Sequence, residues 1–211
     1  MPDYNTVRHG ASDYFTAPRK NDHQITGQDL DMWALTSNYT TTASTNYAET
    51  IIKTGWSRDT TLAAAHQSDI TLMDNPMSVS STTGYWTFPS VGLWYINLKA
   101  ALRHYGVVST SQQFGQPSIS GWNGGGCDIK FSVDNFASDI GEGHQTILMN
   151  TCYIEHNGPE FTIDGDVVLN ITNTSTDKIA IRHYLYRRGS TNYVRGDSTG
   201  GPTKVVFKKV G

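Results

Sequence analysis

The chain has 211 residues, of which 37% are hydrophobic, 11% aromatic and 17% charged, with a formal net charge of −3. That balance argues against a disordered chain, and no run reaches the ~18 apolar residues of a membrane span. The length suits one β domain with an appendage, and nothing in the overall charge points to nucleic acid.

At the N-terminus, Met1–Lys20 holds no apolar h-region, so no secretory signal is expected. Residues 1–46 carry scattered polar residues and the tract Thr36–Thr45, and are expected to form an extended arm. Tyr14, Phe15 and Trp33 are available there for docking onto another surface. One short helix is predicted over Gln28–Leu35, where Asp29 and Asp31 would favour a helix N-terminus.

From residue 47 onward the pattern is strand, turn, strand. Glu49–Trp56 is the first predicted strand, and Asp69–Met73 is a short one ended by Asn75-Pro76. Tyr85–Phe88 and Leu93–Arg103 flank the turn Pro89-Ser90-Val91-Gly92. Trp94, Ile96, Leu98 and Ala100 alternate with Asn97, Lys99 and Ala101, the period-two pattern of a half-buried strand. Residues 107–126 form a long Gly/Ser/Gln-rich connection that ends in Trp122-Asn123-Gly124-Gly125-Gly126. Cys127–Val133, Thr146–Glu155, Val167–Asn173 and Lys178–Tyr186 follow as strands, the last two reading as a hairpin across Asn173–Asp177. Thr203–Val210 closes the series. Short strands at this spacing predict an all-β sandwich or barrel.

The segment Gly84-Tyr85-Trp86-Thr87-Phe88-Pro89-Ser90-Val91-Gly92-Leu93-Trp94-Tyr95-Ile96 resembles the C1q/TNF-like signature, roughly G-x-F-x-x-P-x-x-G-x-Y-x-F. Pro89 and Gly92 match directly, while Trp86, Trp94 and Ile96 stand at bulky positions of the pattern. Phe161-Thr162-Ile163-Asp164-Gly165-Asp166-Val167-Val168-Leu169 is similar to the family's later Gly-Asp strand, and Gly200–Val210 to its closing strand. The resemblance spans about residues 47–211. It implies a C1q/TNF-like jelly-roll sandwich of ten strands carrying an N-terminal extended arm, and a compact homotrimer. Trp86, Pro89, Gly92, Trp94, Ile96, Gly165, Asp166 and Val168 are its expected fold-signature core. The arm has no Gly-X-Y collagen pattern. Modules of this type also occur in accessory proteins of tailed-phage virions, and the polar arm with a β head fits that setting by analogy.

Chemistry is sparse. The seven histidines (His9, His23, His66, His104, His144, His156 and His183) make no H-x-H or HExxH pattern. Cys127 and Cys152 have no CxxC spacing and are read as two reduced thiols, with a disulfide as the alternative. There is no G-x-S-x-G elbow, and the Gly121–Gly126 run lacks the Lys and Ser/Thr of a phosphate loop. Asp164 and Asp166 could serve as a carboxylate pair or calcium ligands, but turn formation beside Gly165 explains them more simply. Arg195-Gly196-Asp197 spells an integrin tripeptide, and three N-x-S/T sequons begin at Asn38, Asn170 and Asn173; both are read as ordinary turn and Thr-rich sequence. Lys178, Arg182, Arg187, Arg188, Arg195, Lys204, Lys208 and Lys209 give the last third a basic bias, read as a solvated face.

No catalytic, cofactor or metal residue is expected, nor a membrane or nucleic-acid partner. The expected function is a non-enzymatic virion protein, a trimeric capsid-decoration or head-fibre subunit held to the major capsid protein by the arm. The alternatives are a tail-fibre head that binds host glycans through the 107–126 loop, with Trp122 and Asn123 as contacts, and a secreted C1q-like binding protein.

Overall fold

The computed structural model describes residues 29–42, 48–60, 71–105, 124–137, 145–153, 160–186, 191–199 and 201–210. Among these residues the chain is all strand and turn. The strands are β1 (Asp29–Leu35), β2 (Tyr39–Thr42), β3 (Ala48–Ile51), β4 (Trp56–Arg58), β5 (Thr71–Leu72), β6 (Ser78–Val79) and β7 (Tyr85–Thr87). They continue as β8 (Gly92–Tyr105), β9 (Gly124–Ser132), β10 (Gln145–Tyr153), β11 (Glu160–Ile171), β12 (Lys178–Tyr186), β13 (Thr191–Val194) and β14 (Lys204–Lys209). The resemblance implies ten strands; fourteen are described, several of them only two or three residues long.

The strands form two sheets that pack face to face. In the larger, β8 lies between β11 on one side and β14 with β13 on the other; β14 then pairs with β1, and β1 with β4 and β5. In the smaller, the order is β10-β9-β12-β7-β6, with β3 also on β12. All pairings are antiparallel except that of β1 with β5.

The alternation of Leu93–Leu102 has a direct counterpart. Trp94, Ile96, Leu98 and Ala100 point into the sandwich and are fully buried. They meet Phe207 and Val205 of β14 and Ile179, Ile181 and Ile129 of the smaller sheet in one apolar cluster. Trp86 stands at its middle: its ring lies 5.3 Å from that of Trp33, 5.5 Å from Trp56 and 5.2 Å from Phe207. These edge-on and tilted contacts join β7 of one sheet to β1, β4 and β14 of the other. Trp86 and Trp94 are thus core residues.

Several sequence-based expectations change. The helix predicted over Gln28–Leu35 is strand β1, hydrogen-bonded between β14 and β4. Both faces of this strand are covered, so it lacks the polar alternation that marks a half-exposed strand. Asp31 makes no helix N-terminus; its buried carboxylate accepts hydrogen bonds from Trp33 Nε1 (2.8 Å), Arg58 Nε (2.6 Å) and the Met77 amide (2.8 Å). Residues 29–42, expected within the arm, therefore belong to the β head as β1 and β2; residues 1–28 and 43–47 lie outside the described residues. The strand predicted over Glu49–Trp56 is split into β3 in the smaller sheet and β4 in the larger.

The predicted hairpin across Asn173–Asp177 is a corner between sheets: β11 pairs with β8, while β12 pairs with β9, β7 and β3. Asp177 holds this corner by accepting hydrogen bonds from the Thr172 and Asn173 amides (2.7 and 2.9 Å) and the Thr172 hydroxyl. The turn at Pro89–Val91 likewise carries the chain from β7 in one sheet to β8 in the other. Gly92 has φ +128°, a region that side chains disfavour, which accounts for a glycine at this signature position.

Candidate functional site

The outer face of the larger sheet is the part of the head with most to offer a partner. Its inner face is used up by the core, and strand geometry sends the intervening residues outward. The register sets them in rows. Val168 of β11, Tyr95 of β8 and Lys208 of β14 form one row. Asp166, Asn97 and Val206 form the next, and Asp164, Lys99 and Lys204 the one beyond. Asn170 and Leu93 lie at the other end, where the Val210 amide bonds to the Leu93 carbonyl (2.8 Å).

This face carries exposed apolar side chains. Of the five large exposed hydrophobic residues among those described, four gather at this end: Val91 (52% exposed), Leu93 (44%), Val168 (54%) and Val210 (48%). Tyr95 sits among them, its phenol pKa raised by partial burial and by the nearby Asp166 and Asp164 carboxylates. Asp164 accepts a hydrogen bond from Asn97 Nδ2 (2.8 Å).

The structure places five expected members of the signature core outside the fully buried set, Pro89 and Gly92 being half-buried. Val168 is not core but exposed on the outer face; Leu169 and Ile171, one residue out of step, enter the core instead. Asp166 is exposed as well, and Gly165 half-buried. Asp164-Gly165-Asp166 lies in the middle of β11 and is not a turn. The two carboxylates share one strand face because they are two residues apart. Trp86, Trp94 and Ile96 are buried as expected. Trp122 and Asn123 lie outside the described residues, whereas Gly124–Gly126, expected in the same loop, are strand residues of β9 paired on both sides.

The tripeptide Arg195-Gly196-Asp197 is occupied by its own surroundings. Arg195 pairs with Glu160 (2.5 Å), and Asp197 accepts hydrogen bonds from the Thr199 amide and hydroxyl (2.9 and 2.7 Å). Those two bonds hold the Asp197 carboxyl below its ordinary pKa. Gly196 lies so close to Ser37 that a Cβ there would come within 2.2 Å of the Ser37 carbonyl oxygen, which explains the glycine. The basic bias of the last third also dissolves in part. Arg182 is buried in a bidentate pair with Asp128 (3.0 and 2.5 Å) and bonds Glu49 too; Lys204 pairs with Asp59 (3.3 Å). Burial lifts the Asp128 carboxyl above its usual range, and Arg182 and Lys130 pull it back only partly.

His183 is fully buried, with Nδ1 3.0 Å from Thr41 Oγ1 and Nε2 unpartnered. Burial drives its pKa down to about 3, so it is neutral at ordinary pH. Cys127 is a buried free thiol whose pKa is pushed far up by burial and then by Asp128. Among the described residues no three His, Cys, Asp or Glu side chains are grouped to hold a metal. His9, His23, His66, His144 and His156 lie outside them.

The apolar end of the outer face was missed by sequence reasoning. A signal was present in the off-phase residues Leu93, Val206, Val168 and Val210, which fall opposite the core set on their strands.

No family model and no curated protein matches the chain. Solved structures do. Murine APRIL at pH 5.0 superposes with a TM-score of 0.50 at 8% identity, over 87% of this chain and 99% of that one. Eiger TNF from S. frugiperda matches with a TM-score of 0.46 at 7% identity, over 87% and 93%. The chain folds as an all-β, TNF-like jelly roll.

Proposed function

We propose that this chain is a non-enzymatic structural protein whose β head assembles as a homotrimer, and that it is a capsid-decoration or head-fibre subunit on a tailed-phage virion. The observation that carries the assembly is the outer face of the larger sheet, where Leu93, Val168 and Val210 stand exposed around Tyr95. Covering the apolar part of such a face is favourable by roughly 25 cal/mol per Å² removed from water. The polar composition of residues 1–28 supports their role as the segment that holds the major capsid protein.

Mass spectrometry of purified particles tests the setting, with the chain expected among the virion proteins; its absence from particles overturns it. Deletion of residues 1–28 is expected to abolish attachment and leave the head folded. The deletion stops at residue 28 because β1 begins at Asp29 and lies between β14 and β4. Unimpaired attachment would remove the segment's role.

A second reading, a head that binds host glycans, is favoured by one feature. A cavity of about 220 Å³ is lined by Thr36, Ser57, Asp59, Thr60, Ser198 and Thr199, side chains that can bond a polyhydroxylated ligand. A glycan array with no signal above background would remove this reading.

A further inference from the structure

The cavity beside β4 is built from three segments that are locked to one another. After β1 ends, the Thr36 amide and hydroxyl both donate to the Gly55 carbonyl (2.7 and 2.9 Å), which fixes the approach to β4. On the other side the Asp197 amide donates to the Leu35 carbonyl (2.9 Å), and the Asp197 carboxylate accepts from the Thr199 amide and hydroxyl. The 197–199 turn is thereby pinned at the end of β1. Register places Lys204, Ala34 and Ser57 in one row on the outer face of the larger sheet. This row reaches the β4 edge, on the side of β14 away from β8 and β11. A site whose walls are held in place before binding loses little to ordering.

The charges around the cavity select among ligands. Asp59 is nine-tenths buried in its wall and bonds Lys204 (3.3 Å). Ser57, Thr60, Ser198 and Thr199 line the cavity with it and are exposed. The cations nearby are already committed: the Arg58 guanidinium bonds Asp31 and the Met73 carbonyl, and Lys204 bonds Asp59. From this we infer that the cavity takes one neutral sugar ring, with two neighbouring hydroxyls astride the Asp59–Lys204 pair. One hydroxyl donates to the carboxylate, and the next accepts from the ammonium. The inference names the ligand class of the glycan-binding reading and rests on that reading. Drug-sized ligands occupy roughly 300–1,000 Å³. A cavity of about 220 Å³ therefore suits a single ring. A carboxylated sugar would set its charge against Asp59 with no uncommitted cation to offset it, so acidic sugars are rejected.

The test uses the full chain, first on a glycan array and then in saturation-transfer NMR titrations with methyl glucoside, methyl mannoside and methyl glucuronide. At least one neutral glycoside is expected to bind, and the glucuronide to bind at least about tenfold more weakly. Asp59→Asn should weaken the neutral glycoside at least about tenfold. It should also narrow the gap to the glucuronide, because Lys204 then lacks its carboxylate; a variant that merely misfolds would lose both ligands. Ser57→Leu, at an exposed position, should block the cavity and abolish binding while the melting temperature stays unchanged. A silent array overturns the glycan reading and this inference with it. Array signal with no neutral methyl glycoside bound, or neutral binding left intact by both variants, overturns the site alone. A glucuronide that binds as tightly as the glucoside overturns the neutral class.

Discussion

The two faces of β8 are built from alternate residues of one strand, yet they obey different rules. On the inner face, Trp94, Ile96, Leu98 and Ala100 have no exposed surface and meet partners from both sheets. On the outer face, Leu93 and Tyr95 share the surface with Asn97, Lys99 and the Asp column of β11. The inner face therefore governs whether the chain folds, and the outer face is the surface on which the proposed assembly would depend. Substitutions on the first should act on stability, and on the second on association with stability unchanged.

The largest expected effect is at the centre of the core. Trp86→Ala removes three ring contacts that join the sheets and leaves a cavity at the middle of the core. A loss of about 3–5 kcal/mol is expected, measurable by urea unfolding, against a total stability of roughly 5–15 kcal/mol. Arg182→Met should cost a similar or slightly smaller amount, about 3 kcal/mol. It strands the buried carboxylate of Asp128 without its bidentate partner. Asp128→Leu/Arg182→Met, which removes both charges, should recover much of that loss; if it does not, the pair contributes more than mutual neutralisation.

A smaller, pH-dependent effect comes from His183. Its folded pKa, about 3, is depressed from 6.5 by burial, so the unfolded chain binds the extra proton first. Its contribution to stability is full above pH 6.5 and declines as pH falls from there toward 3. The slope attributable to this residue is at most about 1.4 kcal/mol per pH unit. His183→Asn should flatten the stability curve across that window; an unchanged curve would mean that the imidazole is not held neutral between the sheets.

The smallest stability effect is expected outside. Val168→Asp should change stability by no more than about 0.5 kcal/mol, because the side chain is already exposed. It should nonetheless disrupt self-association seen by light scattering. A large drop in melting temperature would show that the outer face contributes to the fold and would blur the contrast between the two faces.

How much of this was legible depends on how many sides of a strand are covered. β8 was readable because one face is core and the other half-exposed, so polar and apolar residues alternate. β1 was not, because neighbours cover both its faces and its pattern, Asp-Leu-Asp-Met-Trp-Ala-Leu, mimics a helix start. Val168 was assigned to the core by its place in a motif, and the register with Tyr95 puts it outside.

The sequence by itself determined the all-β class, the buried set on β8, and the Pro89–Gly92 turn, because period-two burial and backbone restriction are local properties. Only the tertiary structure decided that the 88–91 and 172–177 turns cross between sheets, and that residues 29–42 belong to the head. It also decided that Leu93, Tyr95, Val168 and Val210 meet on one surface. Those outcomes depend on which strands pair, and pairing between residues as far apart as Leu30 and Lys208 is set by the packing of the whole sandwich.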